Sequence, residues 1–214
     1  MESKLIMKVR MTLIACLLGY SSGVHALVFS LDPANQLAMN GDVVLLDLVA
    51  SELGADTIGV FDIDVGYDSN KLMLDGLSYS GALGDIGLGE AIDLGLGDDG
   101  LGTINLAVLS LLENDSLTCV LCFAPFLEDL QSSASVVLAT LGFKVVDLVG
   151  GTSTEVGIDA VHSLGDGFGF PIFADSLSAA TIVGEDAVVE VPEPGTLGLL
   201  LLSLGILLGR RWLE

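Results

Sequence analysis

The chain has 214 residues, 51 % of them hydrophobic, and a formal net charge of −22. So acidic a polymer offers too few cations to displace phosphate counterions, which excludes nucleic-acid binding and argues against anionic lipid surfaces. Three cysteines and two histidines leave little material for a zinc or redox centre.

At the start, Lys4, Lys8 and Arg10 form a basic stretch, Met11 to Tyr20 an apolar core, and Val24-His25-Ala26 a small-residue cleavage site. These are the three parts of a secretory signal peptide. Residues 1–26 are expected to be removed between Ala26 and Leu27, with Met7 an alternative start. Leu13-Ile14-Ala15-Cys16 has the outline of a lipoprotein box. It would leave only about five apolar residues before the cysteine, short of the usual 7–15, and is set aside. The protein is therefore expected to be exported.

Residues 27–187 are expected to form one domain, large enough to bury roughly 68–70 % of its unfolded surface. Within it only Lys71 and Lys144 oppose the acids, and there is no arginine. Two readings of that acidity stand. Self-repulsion screened by a salty medium keeps the chain soluble; alternatively, carboxylates are bridged by Ca²⁺. The acids are scattered rather than grouped at ligand spacing, which favours the first.

The body reads as strands. A first strand is expected at 28–31, and in the next Val44, Leu46 and Leu48 share one face. Phe61-Asp62-Ile63-Asp64-Val65 alternates with period two, placing Phe61, Ile63 and Val65 in a core and Asp62 and Asp64 in solvent. Turn signals such as Asn40-Gly41-Asp42 and Asp68-Ser69-Asn70 separate these runs. Further strands are expected at 72–79, 103–110, 155–160 and 179–183, with a short helix around 126–130. Later, Val137, Ala139, Leu141, Phe143 and Val145 share a face, with Lys144 opposite. Many short strands without long helical patterns indicate an all-β antiparallel sandwich.

Residues 81–102 are rich in Gly, Leu and Asp but lack any Gly-Gly-x-Gly-x-Asp repeat. They read as a long surface crossover carrying a strand fragment. If a loop here holds Ca²⁺, Asp93, Asp98 and Asp99 are its candidate ligands; no other cofactor is expected. Cys119 and Cys122 are the cysteines left after signal removal, and in an oxidising compartment such a pair suggests a disulfide closing a small loop. Free thiols are the alternative.

His162 is expected at a strand end or turn, with no nucleophile beside it to make a triad. Asp62 and Asp64 could approach the separation of a glycosidase pair, about 5 Å, but solvent-facing alternation explains them more simply. No catalytic residue is assigned. The body has no tryptophan and only Tyr67 and Tyr79, which disfavours a stacking-type sugar platform. Phe168, Phe170 and Phe173, around Pro171, are of a type that more often fills a core.

Gly41-Asp42-Val43, then Gly59-Val60-Phe61-Asp62 through Val65-Gly66-Tyr67-Asp68, resemble the first half of cohesin-like domains. Leu138-Ala139-Thr140-Leu141-Gly142-Phe143-Lys144 followed by Gly150-Gly151-Thr152-Ser153 resembles the second half. The resemblance implies a jelly-roll sandwich related in fold to carbohydrate-binding modules, and a family whose members bind a dockerin through one sheet face. Fold alone does not fix the ligand. The chain has no dockerin-type Asp-x-Asn-x-Asp-Gly loop of its own.

The final stretch, 188–214, begins with Pro192-Glu193-Pro194, continues through a Leu- and Gly-rich segment at 195–209, and stops at Arg210-Arg211-Trp212. The apolar segment is shorter than the roughly 20 residues that a bilayer core prefers. Snorkelling arginines, interfacial Trp212 and local thinning absorb the mismatch. Arg210 and Arg211 are expected to stay cytoplasmic as a membrane stop. This tail resembles the PEP-CTERM sorting signal of Gram-negative envelope proteins, which an exosortase recognises and cleaves near Pro192-Glu193-Pro194.

Taken together, the sequence points to a non-enzymatic exported protein handled by the export machinery and an exosortase. Its precursor would be anchored in the inner membrane by a C-terminal transmembrane helix, and the mature form placed in the envelope, at the cell surface or in an extracellular, exopolysaccharide-rich matrix. The alternative is a cohesin-like or carbohydrate-binding module that binds a protein partner or a polysaccharide, with or without Ca²⁺.

Overall fold

A computed structural model describes residues 27–117 and 122–185. The signal segment, Cys119, Pro192-Glu193-Pro194, the apolar run at 195–209 and Arg210-Arg211 lie outside the described residues. Among the described residues no helix is long and apolar enough to cross a membrane.

The described chain forms two sheets facing one another. In order its strands are β1 (Val28–Asp32), β2 (Asn35–Ala38), β3 (Val43–Ser51), β4 (Val60–Tyr67), β5 (Leu72–Tyr79), β6 (Ala91–Asp93), β7 (Gly97–Asp98), β8 (Thr103–Ser110), β9 (Ser135–Val145), β10 (Ser153–Gly165), β11 (Ser176–Ser178) and β12 (Ala180–Gly184). A 3-10 turn at Gly81–Leu83 follows β5, and a single-turn helix, α1 (Leu127–Leu130), precedes β9. One sheet runs β11-β1-β3-β9-β5; the other runs β2-β12-β10-β4-β8-β6, with β7 also pairing β8.

Alternation drives this arrangement. In β3 the buried residues are Val44, Leu46, Leu48 and Ala50, and in β4 they are Phe61, Ile63 and Val65. Facing them, β8 contributes Ile104, Leu106 and Val108, and β9 contributes Leu141, Phe143 and Val145. The first strand changes sheets at Pro33, which has no N–H for a ladder: β1 pairs β3, whereas β2 pairs β12 in the opposite sheet.

Three irregularities depart from the sequence expectation. In β9, Leu48 pairs Ala139 while Val49 pairs Val137, so Leu138 is an extra, bulged residue. The bulge buries Leu138 and Ala139 together and turns Val137 outward, at 36 % exposure, correcting its expected place in the core. In β10, Asp159 and His162 are the extra residues of two further bulges against β4. The crossover at 81–102 carries two strand fragments, β6 and β7, laid along β8.

One buried amide ties the loops at the end of the sandwich. Gln131, just past α1, accepts from Ile58 N (2.7 Å) and donates to Ile58 O (2.8 Å) and Ala82 O (3.0 Å). Among the described residues no buried side-chain nitrogen or oxygen lacks a partner.

Candidate interaction face

The outer surface of β10, β4 and β8 carries a connected polar network. Outward residues alternate with core residues along β4, so Asp62 and Asp64 both point away from the sandwich. Asn105 lies across from Asp64 in the β4–β8 register. Its Nδ2 donates to Asp62 Oδ1 (2.8 Å) and to Asp64 Oδ1 (2.9 Å), and its Oδ1 accepts from Leu96 N (3.1 Å). From the other side His162 Nε2 lies 2.7 Å from Asp64 Oδ2.

Asp62 and Asp64 lie on the outward face as the alternation predicts, but they are bonded to neighbours rather than standing free in solvent. Both are half-buried, and the Asp64 side chain keeps only 23 % of its surface. His162 was expected at a strand end or turn; it sits inside β10, in a bulge that aims its ring along the sheet towards Asp64. Period-two reading could not place it, because a bulged residue has no fixed face. The hydrogen bonds from His162, then Asn105, hold the Asp64 carboxyl below the usual carboxylate range. The same Asp64 bond and charge raise the His162 imidazole.

The crossover forms one shoulder of this face. Leu94 N donates to Ala107 O (2.8 Å), and Gly95 packs onto β8 so closely that a Cβ there would come within 2.7 Å of the Tyr79 hydroxyl and 2.9 Å of Asn105 O. Leu94 and Leu96 are left pointing outward, at 55 % and 89 % exposure. With Asp62, Asp64, Asp99, Asn105 and His162 they border an open groove of about 570 Å³. A second groove, of about 470 Å³, continues past His162 between β10 and the segment leading into β11, bordered by Ile172 and Phe173 of that segment and Leu177 of β11. Phe168, Phe170 and Phe173 are all exposed, correcting the view that they fill the core. Apolar shoulders thus flank an acidic strip on both sides.

The three aspartates named as calcium candidates are engaged with the chain itself. Asp93 Oδ1 accepts from Gly95 N (2.9 Å), and Asp98 Oδ1 from the Tyr67 hydroxyl (2.9 Å) and Gly100 N (3.1 Å). Asp99 Oδ1 accepts from Leu101 N, Gly102 N and Thr103 N, and these backbone donors lower its pKa. These are turn-forming bonds. Among the described residues no group of three or more His, Cys, Asp or Glu side chains is placed to hold a metal ion. Burial, with the nearby acids, pushes the phenols of Tyr67 and Tyr79 up to about 12, so both stay protonated donors at neutral pH. Cys122 is disulfide-bonded, its partner lying outside the described residues.

No described protein family matches the chain, and no curated protein matches it. Solved structures do. The sixth cohesin of scaffoldin B from Acetivibrio cellulolyticus, solved with a Cel5 dockerin, shares 18 % identity at a TM-score of 0.56, over 75 % of this chain and 99 % of that one. The seventh ScaB type I cohesin from Pseudobacteroides cellulosolvens gives 16 % and 0.56, over 77 % and 96 %. A cohesin module from a Clostridium perfringens family 33 glycoside hydrolase gives 11 % and 0.53, over 77 % and 100 %. The domain between the two terminal segments is a β-sandwich with the fold of a cohesin module.

Proposed function

We propose that this protein is a non-enzymatic, exported surface module whose cohesin-fold domain binds another protein across the open face of β10, β4 and β8. The observation that carries the reading is that face itself. It joins a pre-organised polar network to exposed apolar side chains, and protein interfaces combine direct hydrogen bonds with apolar anchors of this kind. Cohesins solved with dockerins lend it support by fold, without naming the partner here. The reading needs no cofactor, so binding should persist in a chelator.

The terminal segments supply the location. The sequence of residues 1–26 serves export, and 188–214 serves as a temporary membrane address that an exosortase removes near Pro192-Glu193-Pro194. The mature domain then resides in the envelope or extracellular matrix of a Gram-negative bacterium.

The test places a photo-crosslinking residue at Ser163, on the open face, or at Asp75, on β5 of the other sheet, in the full chain expressed in its host. A discrete protein adduct from Ser163 and none from Asp75 is expected. Adducts from neither, with or without chelator, overturn the binding reading. For the sorting reading, replacing Pro192, Glu193 and Pro194 with alanine should leave unprocessed precursor in the inner membrane; normal release refutes it.

A further inference from the structure

The open face holds Asp64 through one amide and one displaceable imidazole. Resting on the reading that this face binds a protein, we propose that the partner sets a lysine or arginine, flanked by aliphatic side chains, onto Asp64 and Asp62 in place of the His162 imidazole.

Three observations carry this. First, Asp62 and Asp64 are already oriented side by side by the one Asn105 amide, which leaves Asp64 Oδ2 to His162 alone. Second, His162 is the extra residue of a bulge and its side chain is 49 % exposed, so it can swing aside without opening the core. Third, no described lysine competes: Lys71 is engaged with Asp68 and Ser153 O, and Lys144 belongs to β9 in the opposite sheet. Leu94 and Leu96 on one side, with Phe173 and Leu177 on the other, supply apolar ground for the stem of a long cationic side chain and its neighbours. The same charge repels acidic occupants.

The arrangement makes binding depend on pH. The charges facing His162 are Asp62 and Asp64 from β4, Asp159 from β10 itself, and Asp99 from the segment between β7 and β8. β8 contributes uncharged Thr103 and Asn105, and the segment before β11 contributes Pro171, Ile172 and Phe173. A protonated imidazole holds Asp64 as an ion pair that the incoming cation must break; a neutral one gives way. The partner's lysine or arginine stays charged throughout, so affinity rises as pH climbs through the titration of His162.

The experiment uses the isotope-labelled full chain in neutral detergent micelles, titrated with acetyl-Ala-Leu-Arg-Leu-Ala-amide and with the same peptide carrying citrulline for arginine. The arginine peptide should shift the Asn105 side-chain amide resonances, a reporter kept in every variant, saturably at pH 8 and about five-fold more weakly at pH 5.5, and the citrulline peptide should not. Asp64→Asn should weaken binding about five-fold, whereas Asp75→Asn, the same charge change on the opposite sheet, should leave it unchanged. His162→Gln should make the two pH values equivalent. Equal responses to arginine and citrulline, equal losses from the two Asn variants, or pH dependence surviving His162→Gln each overturn the proposal. A Ser163 adduct indifferent to Asp64→Asn overturns the cation while leaving protein binding in place. Absence of any adduct removes the binding reading itself.

Discussion

The two sheets turn different surfaces to the outside. On the five-stranded sheet, Val43 and Leu45 of β3, Met73 of β5 and Val137 of β9 are exposed, and Lys144 stands opposite both Val43 and Met73. Two of its acids, Asp32 and Asp47, face each other across the β1–β3 ladder, with Thr140 donating to Asp47 Oδ1 (2.5 Å). On the seven-stranded sheet Asp62 and Asp64 are instead joined by the Asn105 amide, with His162 on Asp64, and bordered by leucines. Both sheets obey the same alternation and both are bulged. In β9 the bulge swallows a leucine into the core, while in β10 it hands a histidine to its neighbour. The difference shows that one backbone device serves packing in one sheet and builds an outward polar network in the other.

The largest expected effect removes the support that both faces share. The Phe143 ring is fully buried and meets the Tyr67 ring at 5.2 Å between centroids, joining the two sheets. Phe143→Ala should cost about 3–5 kcal/mol, read as a fall in the urea midpoint at constant slope. An unchanged midpoint would show that the sheets do not depend on one another there.

Next comes the bulge of β9. Leu138→Ala should cost about 2–5 kcal/mol, but Val137→Ala less than about 1 kcal/mol, because only the first residue is buried. The reverse order would restore simple alternation and remove the bulge.

Gln131→Ala should cost about 1–3 kcal/mol by stranding the N–H and C=O of Ile58 in a buried place. Hydrogen exchange would show whether the loss stays local, with Ile58 and Ala82 losing protection before β4 does.

The smallest effect separates the two faces by pH. Since the folded pKa of His162 is raised above 6.5, its bond to Asp64 contributes stability that is fully present below about pH 6.5 and is lost as pH rises through the folded value. Unfolding midpoints of the parent should therefore decline slightly over that window. Those of Asp64→Asn should not, and its His162 titration should fall back towards 6.5 in an NMR pH series.

The strands were largely legible because most of them keep strict alternation, as Phe61, Ile63 and Val65 illustrate. The single turn of α1 falls within the stretch expected to be helical. What escaped the sequence were positions where no period applies. Val137 was placed inside because nothing in the run announces an extra residue. β2 and β11 are too short and too polar to stand out, and both gain their place by parallel pairing with strands distant in sequence. For the candidate face, Asp62 and Asp64 were visible as a pair. Their tie to Asn105 and His162 spans residues roughly 40 to 100 apart and follows only from register. The one available hint was a lone histidine in an apolar and acidic run, which by itself points nowhere.

The run of β1 and β2 sets the two ends of the domain apart. Leu27 lies beside Asp175 at the end where β3 finishes, and Glu185 N bonds Ala38 O at the end where β3 begins. The departing strand, β12, is zipped along its length between β10, antiparallel, and β2, parallel. A force applied between residue 185 and β10 loads those ladders lengthwise. Their bonds then share the force together instead of peeling one by one, so the two ladders resist such a load as a unit.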